Sequence, residues 1–355
     1  MKRIIVSIIM IICLAMPVSA EEPGKELANE IDIILGEYNI DFSEIQDHPT
    51  EVFTQIIKKA FGYNFNPVIQ QFCRITIVLF VSSLIGFFAF EQNKHISGII
   101  ETVLTLIIFY SSYQSLNDLL NTVFNVLTEV KDFMVSFLPV FAGVSFASGQ
   151  YISSTLYTGF FLMAVISVAN FCTSYIIPSI NLYLAVGVTS TVSSLINLKP
   201  LYNLYTRIVK FSMTTVVSVL CFVLSIQTTI AQGKDGLALK AGKMIVSTAI
   251  PVIGSALENA VSTIYSSMGV MKTFFGIAGI AVVTGIFLPS VISIVANWIC
   301  YQLLVVISTV LENKLAADLI DCFRDIMEIL LSMCILFLIL LVFSITVMIK
   351  ATGIL

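Results

Sequence analysis

A chain of 355 residues with 57% apolar and 11% charged residues and a mean hydropathy of +0.98 is not an ordinary soluble domain, where those shares are about 45–50% and about 25%. The net charge of −4 is small for such a length, and long apolar runs such as Ile75–Phe90 and Ile329–Met348 do not alternate. That excludes a transmembrane β-barrel and leaves helices, which satisfy their own backbone hydrogen bonds in lipid. The expected fold is an all-α polytopic membrane protein of about eight to ten hydrophobic segments.

Residues 1–20 read as a signal peptide. Lys2 and Arg3 are its basic end, Ile4–Ala15 its apolar core, and Val18-Ser19-Ala20 a small-residue cleavage site. Residues 21–71 form an acidic segment expected to be helical and extracytoplasmic. Between Glu21 and Pro67 there are ten acidic residues against three lysines, a balance that suits the outside of the membrane and argues against nucleic acid or anionic lipid as a ligand. Leu27, Ile31, Ile34 and Tyr38 share one helical stripe. Val52, Phe53, Ile56, Ile57 and Ala60 share another, with Asp47 and Pro49 at its start.

The membrane part divides at 72–132, 133–243 and 244–355. Its candidate spans are Phe72–Phe90, Ile99–Leu116, Phe133–Ala147, Leu156–Ile177, Ile180–Leu198, Phe211–Ala231, Met244–Leu257, Phe274–Leu288, Val291–Leu311 and Ile329–Met348. The last two blocks are read as repeats offset by about 112 residues. Pro139 and Pro178 stand 39 apart and Pro251 and Pro289 stand 38 apart, with Gly143 and Gly254 shortly after the first proline of each copy. Phe-Phe pairs at 160–161 and 274–275 precede the second prolines. Short segments interrupted by Pro and Gly in matching places suggest broken or re-entrant helices around a passage; ordinary kinked spans are the plainer reading.

Three polar-faced connectors punctuate these spans. In Leu116–Asp132 an apolar stripe (Leu116, Leu120, Val123, Leu127, Val130) opposes Asn121, Asn125, Glu129 and Asp132. Glu312–Glu328 sets Leu315, Leu319, Phe323 and Ile326 against Asp318, Asp321, Asp325 and Glu328, and Lys199–Lys210 is basic. Such helices typically lie in the interface plane or dock on a neighbour; for any one of them a solvated loop helix with no partner is the plainer reading. By charge the basic connector belongs in the cytoplasm and the acidic one outside.

Catalytic material is scarce. His48 and His95 have no nucleophile or carboxylate at a motif spacing, and no phosphate-binding loop, zinc-protease motif or nucleophile elbow occurs. The seven cysteines form no CxxC and sit mostly in apolar runs, as packing residues. No catalytic, cofactor or metal site is expected. Glu101 and Glu258 are the candidate intramembrane ionisable groups, with Lys272 flanking the same weakly hydrophobic stretch as Glu258. Polarity within the spans comes from Ser, Thr and Asn, read chiefly as glue between helices. Gly276, Gly279 and Gly285 have the spacing of close helix approach.

With signal, acidic segment, apolar runs and paired prolines in place, the chain resembles the stage III sporulation protein AE family of endospore-forming bacteria. The most family-like stretches are Phe137–Gly143, Ile177–Leu182 and the second copy around Pro251 and Leu288-Pro289-Ser290. The resemblance implies a multi-pass protein of the mother-cell membrane surrounding the forespore, with its N-terminal segment extracytoplasmic. It also implies a secretion-like channel complex with other membrane, ring-forming and ATPase subunits, and a forespore membrane partner met across the intermembrane space. On that basis the protein is expected to be a non-enzymatic, permease-like component contributing to a passage. The rival readings are a stand-alone secondary transporter of a small solute and a scaffold without a pore. The residues singled out for the passage or for broken helices are Pro139, Gly143, Pro178, Pro251, Gly254 and Pro289.

Overall fold

A computed structural model of the chain describes residues 31, 33–34, 36, 49–62, 65–90, 94–148, 151–192, 200–201, 203–223, 225–226 and 254–350. The regular elements are α1 (Pro49–Phe61), α2 (Asn66–Phe90), α3 (Lys94–Ala147), α4 (Tyr151–Phe171), a π-turn (Cys172–Ile176), α5 (Ile177–Val192), α6 (Asn203–Val223), α7 (Gly254–Val310) and α8 (Lys314–Lys350). All are helical. Counting α4, the π-turn and α5 as one rod, six helices among the described residues are long and apolar enough to cross a membrane. The signal peptide, and most of the acidic segment before α1, lie outside the described residues. Ile31 is buried and Ile34 half-buried while Ile33 is exposed, as the predicted stripe requires.

The apolar segments join into fewer, longer rods. Ile99–Leu116, the Leu116–Asp132 connector and Phe133–Ala147 are one 54-residue helix, α3. Phe274–Leu288 and Val291–Leu311 lie on the 57-residue α7, and the acidic connector continues into Ile329–Met348 as α8. The expectation that these two connectors lie in the interface plane is thus corrected. Their apolar stripes do turn inward, since Leu116, Leu120, Val123, Leu127 and Val130 are all buried. The first does so as the middle of α3, in phase with the apolar residues on either side, and the acidic one as the start of α8, where Leu319, Phe323 and Ile326 are buried.

The interruptions expected at Pro139 and Pro289 are absent as well, because both prolines sit inside continuous helices. A helical proline forfeits one backbone hydrogen bond and crowds the carbonyl four residues back, and neighbouring helices can absorb that cost in a membrane protein. Pro178 is handled differently. The Ile177 N–H donates to the Cys172 carbonyl, five residues back, so one extra residue is looped out just before the ring. Pro251 lies outside the described residues. The two copies are not built alike where they can be compared. The chain leaves its helix after Ala147, whereas residues 112 further on continue inside α7, and a π-turn precedes Pro178 but not Pro289.

The centre of the molecule is α3, α7 and α8. A tight joint sets the last two antiparallel. Asn313 N–H donates to the Ser308 carbonyl at 3.0 Å and Glu312 N–H to the Thr309 carbonyl at 3.1 Å, the double closure of a Schellman motif. Its left-handed position is Glu312, with φ 58. Asn313 then caps α8, accepting from Ala316 N–H at 3.1 Å, and its side-chain amide donates to Ser82 of α2 at 2.8 Å. One residue therefore ends α7, starts α8 and fixes the hairpin to α2. Further along, Phe287 meets Phe337 and Tyr301 lies flat on Phe323.

α3 approaches α7 where α7 has no side chain. A Cβ at Gly279 would stand 2.5 Å from the Phe137 ring, and one at Gly276 2.4 Å from Ile349 of α8. Phe133, Phe137 and Phe141 stack at 5.4 and 5.3 Å along the buried face of α3. The helix-approach reading of the small residues holds at these two glycines.

Candidate functional site

From Gln114 to Gly143, α3 has two unlike faces. The inner face is apolar and buried. The outer face presents Gln114, Asn117, Asp118, Asn121, Asn125, Glu129, Asp132, Ser136, Pro139 and Gly143, all exposed. Their spacing of three and four residues makes one stripe, about 44 Å long at 1.5 Å per residue, close to a whole bilayer of about 40–45 Å. Elsewhere the exposed surface of the candidate spans is largely apolar, with Ile77, Phe80, Tyr110, Met163, Phe211 and Val306 all more than half exposed. The polar part of the stripe, from Gln114 to Ser136, is about 33 Å long at 1.5 Å per residue and does not suit hydrocarbon, although Phe124 and Val135 are exposed beside it. In a membrane, groups of this kind face water, a cavity or another protein.

Beside the stripe, α2, α3 and α7 enclose a cleft of about 300 Å³. It is lined by Pro67 and Val68, by Ser115, Asp118, Leu119 and Thr122, and by Pro289, Ser290, Ser293 and Asn297. Asp118 belongs to both features, so the cleft opens onto the stripe. Ser290, Ser293 and Asn297 are buried, aligned on one face of α7 by the same three- and four-residue spacing. The Asn297 amide donates to the Ser293 carbonyl at 2.9 Å. One turn further on, Tyr301 accepts from the Gln71 amide at 2.8 Å.

The far side of the bundle carries a charged seam at the same level, reached through the Tyr301–Phe323 stack. Arg324 bonds Asp321 at 2.6 Å and Asp325 at 2.9 Å, and Tyr183 donates to Asp325 at 3.3 Å. Lys210 pairs with Glu328, and Tyr205 bonds Ser179 while stacking on Tyr183 at 5.1 Å. Gly187 lets α5 come close here, since its absent Cβ would stand 2.9 Å from the Cys322 sulfur. The seam corrects the orientation argument. The basic and acidic connectors, assigned to opposite sides by charge, meet at Lys210 and Glu328 and lie at one depth. The charge pattern misleads because Lys210 and Glu328 neutralise each other across the connectors, while Arg324 neutralises Asp321 and Asp325 within one of them.

The residues singled out from sequence fall in different settings. Pro139 and Gly143 are on the stripe, and a Cβ at Gly143 would meet nothing within 4 Å. Pro289 lines the cleft. Pro178 is exposed at the start of α5, Gly254 is the first residue of α7, and Glu101 is half-buried on α3. Glu258 is on α7, with its side chain outside the described residues. Lys272 is fully buried on α7. Sequence reasoning found the polar residues of 121–132 but not their continuity with Gln114, Ser136 and Pro139. It also missed the cleft. The available signal was the unbroken periodicity across Asp132 and Phe133. Among the described residues no cluster of three or more His, Cys, Asp or Glu side chains could hold a metal ion.

A family model described as stage III sporulation protein AE matches residues 34–352. Stage III sporulation protein AE of Bacillus subtilis (strain 168) is 22% identical over 232 residues, which cover 64% of this chain and 58% of that protein. The aligned region is therefore little more than half of the relative's length. No solved structure matches.

Proposed function

Because the chain belongs to the stage III sporulation protein AE family, a sporulation family with membrane-spanning helices and not a known enzyme family, we propose that it is a permease-like, non-enzymatic component of the channel complex between mother cell and forespore. In this reading it sits in the mother-cell membrane, and the outer face of α3 is one wall of a water-filled passage. The exposed hydrophilic stripe from Gln114 to Gly143 carries the proposal. A line of amides, carboxylates and small residues as long as a bilayer is thick costs free energy against lipid and none against water. Pro139 and Gly143 then serve as narrow, side-chain-poor positions of that wall. Gly254 and Glu258 stay candidates in the first turns of α7, and Pro251 stays one just before them in the sequence. The passage is closed by further subunits, and the ring-forming and ATPase partners supply its energy. The charged seam fits one membrane surface, with Ile329–Met348 crossing the apolar layer beside it.

The test is to make the stripe apolar without touching the core. Asn121→Leu with Asn125→Leu changes exposed positions only, so the protein should accumulate in the membrane and assemble normally. Small-molecule transfer to the forespore and late forespore gene expression should be lost. Full transfer with both leucines in place would refute the passage and favour a scaffold.

A further inference from the structure

We propose that the cleft between α2, α3 and α7 is a binding subsite for a small monovalent cation, a primary ammonium group or an alkali ion, at the mouth of the passage. The inference rests on the passage reading and adds the class of solute. Asp118 is the one charged residue that lines the cleft, and it has no ion-pair partner among the described residues. Around it the cleft offers oxygen. Ser115 and Thr122 come from α3 and Ser290 and Asn297 from α7.

Ser290 is the telling residue. It is only 5% exposed, it faces the cleft, and its hydroxyl has no hydrogen-bond partner among the described residues. Its oxygen is therefore available to a ligand in the cleft. Asn297 spends its N–H on the Ser293 carbonyl, which leaves its carbonyl oxygen to accept. One carboxylate with neutral oxygens suits a single positive charge. A divalent ion normally takes more carboxylates and more ligands, and an anion would meet Asp118. Along the stripe the bias has the same sign, with Asp118, Glu129 and Asp132 against Lys131 between residues 114 and 143.

The experiment uses the full-length protein in membranes, with labelling read at each introduced thiol by peptide mass spectrometry. Ser290→Cys places a thiol in the cleft, Asn125→Cys places one on the stripe, and Lys58→Cys on α1 is the reference. Trimethylammonium-ethyl and sulfonatoethyl methanethiosulfonate are compared at each. The cation-to-anion rate ratio in Ser290→Cys should exceed that in Lys58→Cys on the order of tenfold, the effect of one charge across a few ångströms of water. Adding Asp118→Asn should return the ratio to the reference value. Methylammonium chloride should slow labelling of the cleft thiol. Sodium or potassium chloride at equal ionic strength separates the two sources, since slowing by these salts assigns an alkali ion and slowing by methylammonium alone assigns an ammonium group. Equal ratios for the cleft and reference thiols, or a ratio untouched by Asp118→Asn, would overturn the subsite. So would an unreactive cleft thiol beside a reactive stripe thiol, which leaves the passage standing. If the stripe thiol of Asn125→Cys is unreactive too, the passage reading itself fails.

Discussion

Replacing Gly279 by alanine adds one methyl group where α7 crosses α3. That carbon would stand 2.5, 2.9 and 3.1 Å from three atoms of the Phe137 ring edge, roughly 1 Å inside ordinary contact. The ring has little room to yield, being fully buried and held between Phe133 and Phe141. Overpacking of this kind costs about 1–3 kcal/mol, while the exchange of glycine for alanine within a helix returns about 0.8–1.0 kcal/mol. The net expectation is a loss of up to about 2 kcal/mol. Gly143→Ala receives the same helical gain with open space around it, so it should be neutral or stabilising. Unfolding by SDS in mixed micelles, followed by the fluorescence of the single tryptophan, Trp298 on α7, measures both. Phe137→Leu shortens the ring and should couple to Gly279→Ala by about 1 kcal/mol or more. Equal stability of the two alanine variants, or additivity with Phe137→Leu, would refute the proposed close approach of α3 and α7.

Three further changes follow from the joints of the bundle, each read by the same unfolding assay. Glu312 holds φ 58 without glycine's freedom, so Glu312→Gly should stabilise the α7–α8 hairpin by about 0.5–1 kcal/mol. Asn313→Ala removes the α8 cap and the bond to Ser82, and should cost about 1–2 kcal/mol. Lys210→Glu should cost no more than about 1 kcal/mol, because the Lys210–Glu328 pair is about a third exposed. Adding Glu328→Lys should restore it.

Local periodicity made the helical membrane class legible, along with the inward stripe of Leu116, Leu120, Val123, Leu127 and Val130. It also pointed to Gly276 and Gly279 as contact residues. Where one helix ends and the next begins was not legible. A polar stretch such as Asn117–Asp132 between two apolar runs looks like a connector when each run is measured against a bilayer. The continuity of α3 rests on its inner face, which stays in phase through Phe133, Phe137 and Phe141. Non-local pairings were equally hidden. Lys210 and Glu328 are 118 residues apart, and each was read alone as a marker of sidedness. Proline was over-read. Pro139 and Pro289 lie within helices, and Pro178 is absorbed by a π-turn whose signal, the Ile177 to Cys172 bond, has no sequence signature. The cleft needed Ser115, Asp118 and Asn297 to be brought together from two helices, which composition does not announce.

Cysteine scanning of α3 from Gln114 to Gly143, with a membrane-impermeant thiol reagent on the full-length protein in sporulating-cell membranes, bears most directly on the water-lined face. Labelling should rise and fall with helical period. It should be strong at Gln114, Asp118, Asn121, Asn125, Asp132, Ser136 and Gly143, and absent at Leu120, Val123, Leu127, Val130, Met134 and Phe137, which are buried. Silence from Asn121 through Ser136, with reaction only at the two ends, would mean that lipid or a tightly docked protein covers the stripe, and would contradict the passage.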